Sequence, residues 1–172
     1  MKITDVQKFD IHDGTARVVI SHDYSNREIE SNVEEFLNKE KQLGYLGIDV
    51  YNTFNKKVKE NLLQLSISVN KLILQGFKIA GFGASAKGNT MLNAADLSYK
   101  DIMYIIDDTP EKQGMYSPGT GIPIVSVEEL KNNPVDYLLI LAPNFTKEIK
   151  KRLEGIFNGK YIIPVPKVKI ED

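Results

Sequence analysis

One stretch of the sequence decides the fold: KIAGFGASAKGNT, residues 78–90. Its apolar beginning predicts a buried strand, and Gly81 and Gly83 predict a tight turn at the end of that strand. A helix is predicted to begin at Ser85 or Ala86, and its first turn presents unpaired N–H groups and the positive end of the helix dipole. We therefore expect an anion, such as a phosphate or pyrophosphate, to bind at this turn.

The same stretch resembles the dinucleotide-binding fingerprint G-x-G-x-x-G/A, with Gly81, Gly83 and Ala86 at its three positions. It does not have the spacing of a Walker A loop, so ATP hydrolysis is not expected. A turn in which glycine only closes a sharp bend is the alternative. The run KGNT at 87–90 favours binding, because a helix start chosen only for helix propensity would seldom contain Gly or Asn.

The composition excludes several classes of protein. Of the 172 residues, 42% are apolar, and 22 basic residues nearly balance 23 acidic ones, so we expect a folded domain without a nucleic-acid partner. The absence of cysteine excludes disulfides and cysteine zinc sites, and with only two histidines we expect no metal site. We find neither a membrane-spanning run nor the apolar core of a signal peptide, and we expect a cytoplasmic protein without a membrane partner.

Residues 1–47 are predicted to be a ribbon and a helix packed on a main domain of residues 48–172. The pair Asp13-Gly14 lies between two apolar-rich runs and predicts the hairpin turn of a two-stranded ribbon. His12, beside this turn, is interpreted as a turn residue that forms hydrogen bonds with its neighbours, with a contact to a ligand or a partner domain as the alternative.

Helical spacing of apolar residues predicts two amphipathic helices, from Arg27 to about Leu43 and from about Val50 to Gln75. Short apolar runs then alternate with helical segments, which indicates an α/β fold with a Rossmann-like, doubly wound parallel sheet. We expect about four strands in the order 2-1-3-4, at residues 78–82, 102–106, 135–141 and 161–163. Ligands of such sheets bind at the carboxyl ends of the strands, where the strand order reverses.

Further candidates follow the second and third predicted strands. Asp107 lies where a dinucleotide fold places the acid that binds a ribose, although it could instead only cap the next turn. The long loop 109–121 offers Lys112 and Gln113 over the same edge. Pro143-Asn144 ends the third strand.

These motifs resemble the C-terminal domain of the SAM-dependent sugar C-methyltransferases, which methylate a ring carbon of deoxysugars carried on a nucleotide diphosphate. HDGTAR at 12–17 is similar to the family's H-G-G-S-x-R segment and departs from it at Asp13. The resemblance covers essentially the whole chain. It is carried by residues 81–90, Asp107, KQG at 112–114, PGT at 118–120, IPI at 122–124, PN at 143–144 and IPVP at 163–166.

The resemblance implies a domain that binds a nucleotide-diphosphate sugar, such as a dTDP-sugar, and is not catalytically complete alone. No catalytic residue is assigned, and SAM is expected on a separate methyltransferase domain or chain, because the sequence has neither a zinc segment nor a SAM domain. The expected substrate contacts are Gly81, Gly83, Ala84, Ser85, Ala86, Lys87, Gly88, Asn89, Thr90, Asp107, Lys112, Gln113, Pro143 and Asn144.

Two other functions stay open at this point. A small NAD(P)-binding Rossmann domain of an oxidoreductase would explain the fingerprint, but it needs a catalytic acid or base and a substrate domain that the sequence does not offer. A non-catalytic interaction domain would use the glycine turn only as structure. In that case Lys87 would be a helix lysine in water.

Overall fold

The structure is a computed structural model that describes residues 1–11 and 14–172. The chain forms two compact units, Met1–Lys56 and Lys57–Asp172. The long helix α2, Ile48–Leu74, contributes residues to both units.

The first unit begins with an antiparallel ribbon. Strand β1, Lys2–Phe9, pairs with β2, Thr15–Ser21, which confirms the predicted two-stranded ribbon. His12 and Asp13 of the predicted hairpin turn lie outside the described residues.

Helix α1, Ser31–Gln42, follows the ribbon and begins later than predicted. The residue before it is fixed by the ribbon, because the Glu30 N–H donates to the Thr4 carbonyl oxygen at 2.9 Å. The buried Asp5 carboxylate also accepts a hydrogen bond from Asn32 Nδ2 at 2.6 Å. These contacts tie the start of α1 to β1.

The second unit alternates strands with helices. After α2 its elements are β3 Ile79–Phe82, α3 Ala86–Ala94, β4 Ile105–Ile106, β5 Ile124–Val125, α4 Glu129–Asn132, β6 Tyr137–Ile140, α5 Thr146–Leu153, β7 Lys160–Ile163 and β8 Lys169–Glu171.

Within the described residues, six strands form one sheet in the order β5-β4-β3-β6-β7-β8. The prediction of about four parallel strands is therefore wrong in strand count, and the full order differs because the sheet has two more strands, but the four predicted strands keep the order 2-1-3-4 among themselves. Its four strands correspond to β3, β4, β6 and β7, whereas β5 and β8 extend the sheet at its two edges. The outermost strand, β8, pairs antiparallel with β7, while the other neighbours are parallel.

Apolar side chains cover both faces of the sheet. On one face Leu65 and Val69 of α2 and Leu92 of α3 pack against the sheet, and on the other Ile149 and Leu153 of α5 do so. This arrangement confirms the α/β class, with a sheet dominated by parallel strands. In the described part of the chain, none of the helices has the length and apolar character needed to cross a bilayer.

Candidate functional site

The ends of three adjacent strands meet at the carboxyl edge of the sheet. The Gly83 N–H, after β3, donates to the Ile106 carbonyl oxygen of β4 at 2.7 Å. The Leu141 N–H, after β6, donates to the Phe82 carbonyl oxygen of β3 at 2.9 Å. Helix α3 packs on one face of the sheet and α5 on the other, so the strand order reverses between β3 and β6. A crevice at this position is the usual ligand site of such sheets.

Close packing requires glycine at three positions of the stretch that opens α3. A Cβ atom on Gly88 would lie 2.6 Å from Leu141 Cβ and 2.7 Å from the Leu141 carbonyl oxygen. Gly83 has φ of +91°, and Gly81 faces the Leu141 side chain. The occurrence of Gly88 in the helix thus has a packing cause, so it no longer argues for ligand binding as the sequence pattern suggested.

Ser85 is the N-cap residue of α3 and joins the helix to β6. Its Oγ accepts a hydrogen bond from the Gly88 N–H at 3.0 Å and donates one to the Leu141 carbonyl oxygen at 2.9 Å. Because the hydroxyl of Ser85 acts both as a donor and as an acceptor, it fixes the direction in which α3 leaves the sheet.

Most of the amides predicted to bind an anion have acceptors inside the protein. Among the described residues, the amides of Ala86 and Lys87 are the two between positions 83 and 88 that have none. Fewer amides are therefore available to an anion than predicted, and the two that remain lie at the N-terminus of α3. The bonded amides and their acceptors are Gly83 with Ile106 O, Ala84 with Asp107 Oδ2, Ser85 with Gly83 O and Gly88 with Ser85 Oγ.

Asp107 follows β4 and is 8% exposed. Its Oδ2 accepts a hydrogen bond from the Ala84 N–H at 2.7 Å, and its Oδ1 accepts one from the Thr109 N–H at 3.0 Å. Burial raises the pKa of Asp107, but hydrogen bonds from Thr109, Ala84 and Lys112 outweigh burial and leave the pKa below its ordinary value. The charged carboxylate thus holds the glycine turn against the following loop.

Lys112 and Gln113 lie against the same turn. The Lys112 ammonium donates to the Ala84 carbonyl oxygen at 3.0 Å and pairs with Asp107 Oδ2 at 3.3 Å. Gln113 Nε2 donates to the Asp107 carbonyl oxygen at 2.9 Å. A 41% exposed Lys112 side chain leaves positive charge facing solvent beside the start of α3.

The remaining predicted contacts on α3 differ in what they offer a ligand. Lys87 is exposed on the first turn. The Thr90 hydroxyl donates to the Ala86 carbonyl oxygen at 3.0 Å. Asn89 Oδ1 is buried without a hydrogen-bond partner in the part of the chain that the structure describes.

Pro143 and Asn144 belong to a 3-10 turn after β6, on the other side of the point where the strand order reverses. The Thr146 hydroxyl donates to the Pro143 carbonyl oxygen at 2.6 Å and fixes this turn at the start of α5. Asn144 is exposed. Of these two residues, Asn144 presents a side chain that can form hydrogen bonds with a ligand.

Asn93 supports the site and was missed from the sequence. Its Nδ2 donates to the Asn89 carbonyl oxygen at 2.9 Å and to the Pro118 carbonyl oxygen at 3.1 Å, so it ties α3 to the long loop. The spacing of four residues between Asn89 and Asn93 in the sequence would have indicated that the two lie on the same face of the helix. The contact with Pro118, which lies 25 residues away, depends on the fold.

The charged residues of the described part form no cluster of three or more His, Asp or Glu side chains that could hold a metal ion. A cavity of about 530 Å³ lies at the opposite edge of the sheet, where β6 and β7 begin, and is lined in part by Phe77, Tyr137 and Phe157. It is therefore separate from the strand ends described above.

Comparison with known proteins gives two matches. The model of the C-methyltransferase C-terminal domain family matches residues 10–166. The C-methyltransferase NovU of Streptomyces niveus is 31% identical over 174 residues. That alignment includes 99% of this chain and 41% of the relative, so the chain spans about two fifths of the relative's length.

Proposed function

The chain belongs to the family of C-methyltransferase C-terminal domains, and from this premise we propose that it binds the nucleotide-diphosphate sugar on which a SAM-dependent C-methyltransferase acts. The resemblance predicted from the glycine stretch is thereby confirmed at the level of the family. The sugar substrate and the binding role are the proposal.

The single observation that carries the proposal is the pair of free amides at the start of α3. Ala86 and Lys87 have N–H groups without an acceptor in the first turn of α3, beside the edge where the strand order reverses, and the helix dipole adds positive potential there. Lys87 is exposed on this first turn and can bring its ammonium to a bound anion, while the Lys112 ammonium lies against Ala84 and offsets the charge of Asp107. A diphosphate is the part of a nucleotide sugar that this arrangement would recognise.

Asp107 supports the same proposal indirectly. Its negative charge would repel a phosphate, but the Lys112 ammonium pairs with Oδ2 at 3.3 Å and offsets that charge. Both oxygens also accept hydrogen bonds from the Ala84 and Thr109 amides, so they are already engaged where a dinucleotide fold would use them to accept the hydroxyls of a ribose. The NAD(P)-dependent oxidoreductase is therefore not favoured as an alternative.

Methyl transfer would belong to another region. The chain spans 41% of a relative that is called a C-methyltransferase, which leaves more than half of that protein to bind SAM and supply the catalytic groups. In this division of labour Gln113 and Asn144, which follow β4 and β6 on the two sides of the point where the strand order reverses, are the candidates for contacts with the sugar or the base.

Calorimetric titration with a dTDP-sugar, NAD and SAM tests the proposal. We expect binding of the dTDP-sugar, weaker binding of dTMP because it lacks the second phosphate, and no binding of NAD or SAM. Binding of NAD alone would support the oxidoreductase instead. Binding of none of these ligands would favour an interaction domain.

Lys87→Ala is the matched test of the phosphate contact. We expect it to weaken binding of the dTDP-sugar by about 1.5 to 3 kcal/mol, the range for a hydrogen bond to a charged group, without unfolding the domain. Lys100→Ala is the control, because Lys100 is exposed in the loop that enters the opposite end of β4. Equal affinity of the folded Lys87 variant and the wild type would remove Lys87 from the site.

A further inference from the structure

The ribbon of β1 and β2 has one face made of apolar β-branched side chains. In the register of the ribbon, Ile3 lies opposite Ile20 and Val6 lies opposite Val18. Directly opposite residues share a face, and so do residues two apart on β2. Ile3 and Val6 are three residues apart, but a bulge between Ile3 and Asp5 adds one residue to β1, so both side chains lie on the same face. We call these four residues the ribbon face.

The ribbon face is open in this structure. Ile3, Val18 and Ile20 are 43%, 46% and 55% exposed, and Val6 is partly buried. The opposite face carries the buried Asp5, which is bonded to α1. Two-stranded ribbons are only marginally stable alone, and contiguous exposed apolar side chains mark contact surfaces. Something is therefore expected to cover the ribbon face.

The comparison with the relative indicates what covers it. The match covers 41% of that protein, and the matched family is by its description a C-terminal domain, so a large region of the relative is expected to precede the matched segment. The ribbon is the first element of this chain. In a protein arranged like the relative, the ribbon face would lie next to the junction with the preceding region.

We propose that the ribbon face docks onto an apolar surface of the methyl-transferring region of a C-methyltransferase, in the same polypeptide or in a separate one. This inference rests on the proposed function, because it assumes that another region performs the chemistry. The contact would place the substrate domain at a defined position relative to the methyl donor.

The test uses the NovU polypeptide with this chain in place of its matched segment, alongside the isolated chain. Amide hydrogen exchange is measured over residues 2–9 and 15–21. We expect these amides to exchange about tenfold more slowly, or slower still, in the fused protein, because docking stabilises the ribbon. The double variant Val18→Glu/Ile20→Glu should abolish that difference. The control Leu63→Glu/Ile67→Glu changes two similarly exposed aliphatic residues of α2 and should preserve it.

Several results would overturn the inference. Equal exchange in the fused and isolated proteins would show that nothing docks on the ribbon, and loss of protection only in the α2 variant would move the contact to α2. A wild-type dimer that the ribbon variant dissociates would identify a second copy as the occupant. A lower melting temperature of the isolated ribbon variant would show that its own chain covers the face. Titration with the dTDP-sugar is independent, since the ribbon variant keeps nucleotide binding if the proposed function is right.

Discussion

At the scale of single residues, most of the stretch 81–90 makes contacts within the protein. Gly88 allows α3 to approach Leu141, and Ser85 uses its hydroxyl to cap α3 and to bond β6. Asp107 takes the Ala84 amide that an anion was expected to take. The hydrogen-bond donors available to a ligand are therefore the amides that have no acceptor within the protein.

Gly88→Ala is expected to destabilise the protein by about 1 to 3 kcal/mol, since the added methyl group would overlap rigid atoms of Leu141. In an exposed helix the same change would stabilise the protein by about 1 kcal/mol, so the sign of the change in unfolding free energy distinguishes a packed Gly88 from an exposed one. Gly47→Ala is the control, because its Cβ would meet only the Gly44 carbonyl oxygen at 3.6 Å. Urea unfolding measures both, and a stabilised Gly88 variant would contradict the packing described here.

Asp107→Asn is expected to cost about 1 to 3 kcal/mol at pH 7, because the carboxylate accepts several hydrogen bonds and an amide cannot replace them all. The pKa of Asp107 lies below its ordinary value in the folded protein. Its contribution is therefore present above the unfolded pKa of about 3.9 and is lost as the pH falls through the folded-state pKa.

The difference in unfolding free energy between the wild type and Asp107→Asn should accordingly shrink in acid. Denaturant unfolding at pH 7 and at successively lower pH measures it. Asp10→Asn, at an exposed position outside the strands and helices, should change stability by less than about 0.5 kcal/mol throughout. A pH-independent difference for Asp107 would show that its charge does not stabilise the turn.

At the scale of elements, Tyr104 connects the entry to β4 with the end of α4. It is buried, and its hydroxyl donates to the Asn133 carbonyl oxygen at 2.6 Å. Burial, together with the nearby charge of Glu129, raises the pKa of Tyr104 to about 12. This bond helps to hold a strand of only two residues in the sheet.

Tyr104→Phe should cost about 1 kcal/mol near pH 8, the usual net value of one hydrogen bond. The raised pKa means that the contribution is present below the unfolded value of about 10 and is lost as the pH rises toward 12. The wild type should therefore lose stability in alkali more steeply than the variant. Unfolding at increasing pH tests this, with the exposed Tyr99→Phe as the control, and parallel curves would contradict it.

At the scale of the whole molecule, the chain is expected to need a second region for chemistry. Incubated alone with SAM and a dTDP-sugar, it should give no methylated sugar, because SAM binding and the catalytic groups are assigned to the rest of a C-methyltransferase. Mass spectrometry of the sugar nucleotide after incubation measures this. The fused NovU protein is the positive control, and turnover by the chain alone would refute the division of labour.

The sequence predicted the long, periodic elements better than the short ones. Helix α2 was recognisable because many residues repeat one pattern, and the ribbon because Asp13-Gly14 lies between two apolar-rich runs. Strands β5 and β8 have two and three residues, which is too short for an alternation to be visible. They exist because neighbouring strands offer open edges with which they pair.

By itself, the sequence determined the α/β class and the family, since apolar periodicity and the motif at 81–90 are local properties of the chain. Only the tertiary structure decided which amides of that motif are free and that Asp107 and Lys112 meet at Ala84. Hydrogen bonds across 23 and 28 residues depend on how the strands lie beside one another. No local pattern encodes that arrangement, because it results from packing both faces of the sheet at once.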